Sequence, residues 1–244
     1  MSHVNYSPEE ILQILRDFYN FQSVFDPEVD AGAQLTFATS IADWISICDL
    51  ISHKKLAEYY HKLFNLNTPV FDLESILKNK SSTLEDFCRY ISAYAQRQRI
   101  TPVVIMSKSC ETAAIFKTLM NNLAKRGVDT QNISPGSEIA PLFERKKSYI
   151  WLEEVNKLAP GSLTKFNYQE NKVMQVAWAM FGLFAFSTVA VSLIRHFHWG
   201  LLVIMFISVI LFVMGNRIKP AKITIGSYKT VRDLVLSMHA KINY

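Results

Sequence analysis

The sequence predicts a mainly α-helical protein: two small helical domains facing the cytosol, with a two-helix transmembrane hairpin inserted in the second. Three observations carry that expectation. Apolar residues recur at helical spacing behind capping signals along most of the chain. Residues 173–215 hold 32 apolar side chains in 43. The order of helix and loop signals ahead of that stretch is repeated around it. The expected boundaries are 1–97 for the first domain, 98–172 with 216–244 for the second, and 173–215 for the hairpin.

In the first domain, Ser7-Pro8-Glu9-Glu10 reads as a capping box with proline at the first helical position. Ile11, Leu12, Ile14, Leu15, Phe18 and Tyr19 give the helix that follows one apolar face. A loop through Asp26–Gln34 leads to an apolar segment, Ile41–Leu50, and then to a helix from His53 to Phe64. Asn65-Leu66-Asn67-Thr68-Pro69 closes that helix. Ser82-Thr83-Leu84-Glu85-Asp86 caps a last helix whose inner face is Phe87, Tyr90, Ile91 and Tyr94.

The second domain repeats this order. Ser109 precedes a helix carrying Ile115, Phe116, Leu119, Met120 and Leu123, which ends in Lys125-Arg126-Gly127 with glycine just past its end. The loop from Gly127 to Ile139 has regularly placed apolar anchors. A second amphipathic helix, from Arg145 to Leu158, uses Tyr149, Ile150, Leu152 and Val155. Beyond the apolar stretch, Thr230-Val231-Arg232-Asp233-Leu234 matches Thr83-Leu84-Glu85-Asp86-Phe87 in capping and apolar spacing. Each half therefore reads as helix, long loop, helix, connection, and a final helix opening with Thr-x-x-Asp.

The apolar stretch contains two uncharged runs, Val173–Ile194 and Leu201–Gly215, separated by Arg195-His196-Phe197-His198-Trp199-Gly200. About 20 apolar residues are needed to span a bilayer as a helix, so the pair reads as a tight transmembrane hairpin. Lys157, Lys165 and Lys172 precede it, and Arg217, Lys219, Lys222, Lys229 and Arg232 follow. That bias puts both termini in the cytoplasm, and the expected location is a bacterial inner membrane. Ala179, Gly182, Ala185 and Ala190 offer small side chains for contact within the hairpin or for homo-oligomerisation through it.

The order of elements resembles the acyl carrier protein fold. In that family the first helix is followed by a G-V-x-x-x-x-I-x-x-x-S-x loop, and the last helix commonly opens with T-V-x-D-L. The match is best at Arg126–Leu142 and Thr230–Leu234, and weaker over Glu9–Tyr94, where the stretch from Phe64 to Thr83 is longer than the family usually allows. The resemblance implies phosphopantetheine on the serine of an Asp-Ser-Leu at the start of the second helix. The chain departs from this: Glu144-Arg145-Lys146-Lys147-Ser148 lacks both the aspartate and the leucine, and in Asp49-Leu50-Ile51-Ser52 the serine is displaced. Ser52 and Ser148 are the two serines onto which the resemblance would place a prosthetic group, and Ser52 reads more simply as a helix N-cap.

Charge is graded along the chain. Residues 1–97 hold 8 basic and 13 acidic side chains, net −5; residues 98–172 are net +4 and residues 173–244 net +6. The basic residues are dispersed, which gives no nucleic-acid signature. Three cysteines fit a reducing compartment rather than a disulfide framework. Cys48 and Cys88 sit in apolar patterns. Cys110, at a helix start in Ser107-Lys108-Ser109-Cys110-Glu111, is the one candidate nucleophile, since a helix N-terminus and a nearby lysine lower a thiol pKa. Among histidines, His53 and His61 are too far apart to chelate one ion, and His196 with His198 provides only two ligands, so no metal is expected. No phosphate loop, HExxH or GxSxG motif is present, and no cofactor is implied. The expected function is a non-enzymatic, membrane-tethered adaptor that meets a protein partner through its acidic first domain. The alternatives are a component of acyl or lipid metabolism, through a working carrier domain or Cys110, and a membrane effector oligomerising through its hairpin.

Overall fold

Three helices of the first half begin where a serine hydroxyl satisfies one of the first amide groups. In the computed structural model, which describes residues 3–24, 26, 28–50, 52–105, 108–143, 147–163, 165–169, 176, 178–182, 203, 206–211, 213 and 222–242, helix α1 (Pro8–Gln22) opens with the expected capping box. The Ser7 hydroxyl accepts from the Glu10 amide at 3.2 Å, and Glu10 Oε2 accepts from the Ser7 amide at 2.9 Å. Then come α2 (Ile41–Ile47), α3 (His53–Leu63), α4 (Val70–Lys78) and α5 (Leu84–Tyr94). Their buried apolar side chains form one cluster around Ile11, Leu15, Trp44, Leu73, Phe87 and Ile91.

The rest of the chain builds a second cluster. Helix α6 (Glu111–Lys125) stops at Gly127, whose φ of +81° lets the chain turn back. The Val128 amide then donates to the Leu123 carbonyl and the Gly127 amide to the Ala124 carbonyl, so two otherwise orphaned carbonyls are satisfied. A 3-10 turn (Ala140–Phe143), α7 (Ser148–Leu158) and α8 (Val231–Ile242) complete the unit, with Leu119, Leu123, Trp151, Val155, Leu234 and Met238 at its centre. Among the described residues three short antiparallel ladders accompany the helices, two of them between segments far apart in the chain. Strand β1 (His3–Asn5) pairs with β2 (Gln96–Gln98), β3 (Val103–Ile105) with β4 (Lys108–Cys110), and β5 (Phe166–Gln169) with β6 (Lys222–Ile225). The protein is mainly helical, as its sequence patterns require.

The internal repeat extends to individual hydrogen bonds. In the first half the Thr36 amide donates to Thr39 Oγ1 at 2.9 Å; in the second, Ser134 donates to Ser137 Oγ at the same distance. Leu84 N–H meets the Thr39 carbonyl as Val231 N–H meets that of Ser137, and Ile41 N–H meets Ser82 as Ile139 N–H meets Lys229. Asp86 accepts from the Thr83 amide and Asp233 from the Thr230 amide, both at 2.9 Å. One loop thus docks on the start of the last helix in both halves. Where the first half has α4, the second has the β5–β6 ladder.

The expected transmembrane hairpin is not upheld. No helix among the described residues is long and apolar enough to cross a membrane. A crossing helix must run unbroken for about 20 residues so that every backbone group is satisfied inside it. Most of 173–215 lies outside the described residues. An uncharged run reports the absence of charge, which is weaker information than a continuous helix. This overturns integral placement in a bacterial inner membrane and the cytoplasmic orientation drawn from the flanking lysines and arginines. His196 and His198 also lie outside the described residues.

The two clusters meet along α7. Helix α1 serves both: Ile11 and Leu15 face the first, while Phe21 enters the second, edge-on to Tyr149 at 5.0 Å and to Phe166 at 5.1 Å. At the end of α7 the chain turns at Gly161, with φ of +77°, and its amide donates to Asp17 Oδ2 at 2.9 Å. The positive φ favours glycine, and a Cβ there would lie 3.0 Å from Gln13 Cγ, so the Gln13 side chain would have to give way. Gly161→Ala is expected to destabilise the protein by about 1–3 kcal/mol, measured as a lowered urea midpoint; an unchanged midpoint would show that this contact does not hold the halves together.

Candidate functional site

Two regions gather polar side chains: the start of α6 and the buried flank of α7. At the first, Cys110 is the N-cap residue of α6 and is half-buried. The Thr112 hydroxyl, with its oxygen 3.5 Å from Sγ, and after it the Ala113 amide hold the thiol below its ordinary pKa. The next residue, Glu111, meets His239 of α8, with Oε2 and Nε2 2.7 Å apart. The fold therefore brings the His239 imidazole from 128 positions further along onto the carboxylate of the residue that follows the cysteine, which no local spacing could disclose. Glu111 and His239 also line a cleft of about 790 Å³ with Arg97, Arg99, Ile115 and Ile242. A thiol lowered in this way at a helix start is better disposed to meet an electrophile than one in the core.

Cys48 and Cys88 are core residues. Both are buried in the first cluster, and burial pushes each thiol up to about 12. Among the described residues no group of three or more His, Cys, Asp or Glu is placed to hold a metal ion. His61 Nε2 lies instead against the Thr68 carbonyl oxygen.

The two serines fall at helix starts. Ser52 Oγ accepts from the Lys55 amide at 3.4 Å and is the N-cap of α3. Ser148 is the first residue of α7 and only 1 % exposed. A prosthetic arm needs a serine that another protein can reach, and Ser148 lies beneath neighbouring side chains.

The flank of α7 is the more elaborate arrangement. Arg126, just past α6, forks across two adjacent buried carboxylates: Nη2 to Glu153 Oε2 at 2.7 Å and Nη1 to Glu154 Oε1 at 2.9 Å. Lys157 adds a second cation to Glu154 at 2.9 Å. From the first half, the Tyr59 hydroxyl of α3 donates to Glu153 Oε1 at 3.0 Å, and the Tyr6 hydroxyl donates to the Lys157 carbonyl at 2.9 Å. Asp17, 1 % exposed, accepts from Gln13 Nε2 at 2.8 Å as well as from Gly161. Burial pushes its carboxyl up to about 7, although the Gln13 amide and then the Gly161 amide pull the other way. Asn156 is also 1 % exposed, and neither its Oδ1 nor its Nδ2 has a hydrogen-bond partner among the described residues.

No protein family matches this chain, and no curated protein or solved structure is similar to it.

Two outcomes are expected from this geometry. At neutral pH a small alkylating agent modifies Cys110 at least about tenfold faster than Cys48 or Cys88 in the folded protein, read by peptide mass spectrometry; equal rates would remove Cys110 as a reactive site. Arg126→Ala leaves two carboxylates buried on α7 with one lysine between them. A loss of about 2–4 kcal/mol is expected, measured by denaturant unfolding, with the partial exposure of the arginine setting the lower end.

Proposed function

We propose that the chain is a non-catalytic interaction protein. In this reading it consists of two carrier-like helical repeats joined as one unit, with the acidic first repeat meeting a protein partner. The observation that carries the reading is the burial of α7. The second repeat gives this helix, and Ser148 with it, to holding the first repeat, while Ser52 is engaged as a helix cap. The burial of Ser148 and the capping role of Ser52 support a reading without acyl carrier chemistry.

The first repeat keeps an outer surface suited to contact. Phe71 of α4 is 70 % exposed and Tyr94 of α5 is 54 % exposed. Tyr90 stacks at a tilt on Tyr94 and donates its hydroxyl to Thr68 Oγ1 at 2.8 Å, which brings the end of α5 close to the start of α4. Asp72 lies beside Phe71 in sequence and is exposed. Large aromatic side chains in water, rimmed by carboxylate, suit a partner with an apolar pocket and basic surroundings.

A second reading, an acyl-handling protein that uses Cys110, is supported by the lowered thiol and the adjacent Glu111–His239 pair. The two separate cleanly. In the first, partner capture by affinity purification is abolished by Phe71→Ala with Tyr94→Ala, and co-expression with a phosphopantetheinyl transferase leaves the intact mass unchanged. Capture that survives the double substitution, or a mass gain of one phosphopantetheine arm, would overturn it. In the second, incubation with an acyl thioester yields a hydroxylamine-sensitive adduct that Cys110→Ser abolishes; no adduct on the native protein removes that reading.

A further inference from the structure

The chain that joins the two repeats forms one wall of the cleft beside α6. Strand β2 is pinned to β1 as far as Gln98, which pairs with His3. Arg99-Ile100-Thr101-Pro102 then crosses to β3 outside both ladders, and Pro102 biases Thr101 toward extended backbone. Other lining residues come from the first two turns of α6, the last turn of α8 and the end of α7. The volume of about 790 Å³ lies within the range of about 300–1,000 Å³ that small-molecule sites occupy.

The lining divides into apolar surface and charge. Ile115 and Leu158 belong to the second core cluster, and the half-buried Ile100 and Ile242 pack on it. The charges are mostly matched. Arg97 Nη2 meets Glu10 Oε1 at 2.9 Å, and Glu111 meets His239 at 2.7 Å. Arg99 is exposed, and no ion pair reaches it among the described residues. One uncompensated cation therefore stands beside aliphatic surface that is continuous with the core.

That combination selects among ligands. No Phe, Tyr or Trp is among the described lining residues, so a nucleotide would find no ring to stack on and a single unmatched cation for its several charges. A peptide would bring amide groups that isoleucine and leucine cannot satisfy. A saturated chain asks for no hydrogen bonds, and a planar carboxylate matches the guanidinium fork.

We propose that this cleft binds an aliphatic monocarboxylate, its head on Arg99 and its chain on Ile100, Ile115, Leu158 and Ile242. The inference rests on neither reading of function given above. Burial of the chain supplies most of the affinity, and the charge sets the orientation. Glu111, the one acidic side chain among the described lining residues, repels the head from the α6 wall and directs it to Arg99.

Octanoate added to the full chain at neutral pH tests this, followed by backbone amide NMR shifts. Saturable shifts are expected at Arg99, Ile115 and Ile242, with Leu73 and Phe87 unmoved. Acetate, which lacks the chain, should bind at least about tenfold more weakly. Octan-1-ol, which lacks the charge, should also bind more weakly, whereas a merely apolar patch prefers the alcohol. Arg99→Ala should weaken octanoate about fivefold, the effect of losing an exposed charge pair, and Lys125→Ala, at the far end of α6, should not. Glu111→Gln should tighten octanoate and leave octan-1-ol unchanged, a gain that a damaged fold cannot produce. Absence of saturable shifts at the cleft, shifts centred on Phe71 and Tyr94, or tighter binding of the alcohol would each overturn the proposal. So would equal losses from Arg99→Ala and Lys125→Ala, or no gain from Glu111→Gln.

Discussion

From Trp151 to Asn156 helix α7 is buried on every side, and most of the architecture follows from that. Trp151, Leu152, Val155 and Leu158 bury against the second cluster at little cost. Glu153, Glu154 and Asn156 are equally buried, and for them burial is unfavourable unless each charge or amide finds a partner. For the two glutamates the partners come from three places: Arg126 beyond α6, Lys157 one turn on, and Tyr59 from α3 of the first repeat. Because the second repeat supplies both cations while the first supplies the covering surface, the two repeats are one cooperative unit along this helix. That coupling is also why Gly161 and Asp17, on different repeats, meet in the middle of it.

The repeats are alike in their docked loops and unlike in the use of their second helix. Helix α3 exposes His53, Lys54, Lys55, Glu58 and Lys62, while its counterpart α7 is enclosed. The first helices differ in the complementary sense. Helix α1 turns Phe18 and Phe21 toward the neighbouring repeat, whereas α6 exposes Lys117, Asn121 and Lys125.

Much of this was legible in the chain because short-range chemistry carries it. Ser7–Glu10 and Thr83–Asp86 form the capping boxes their spacing predicts, Thr230–Asp233 repeats the second, and Gly127 ends α6 as a glycine past a helix end should. Helix α4 escaped notice because Thr68-Pro69 reads as a terminator; Pro69 is instead the N-cap of the next helix, with Leu73 and Leu77 buried one turn apart. The ladders were also hidden, since three or four residues show no alternation and their partners lie up to 95 positions away, as in His3 with Gln98. The 173–215 run misled for a different reason, because composition carries no information about helix continuity. At the candidate sites, Cys110 could be singled out by its place before a helix, but His239 and Asp17 acquire their roles only through contacts across the fold.

The β5–β6 ladder places Gln169 directly opposite Lys222. Paired strands lie about 5 Å apart, so whatever the chain does between those two residues, it leaves and returns at a single gate. To the folded body, the whole excursion has the same boundary conditions as a hairpin turn of a few residues. Its closure entropy grows only with the logarithm of its length, which makes this the place where the repeat tolerates a large addition at small thermodynamic penalty. The second repeat can therefore accommodate a long connection there without altering the hydrogen bonds that define it.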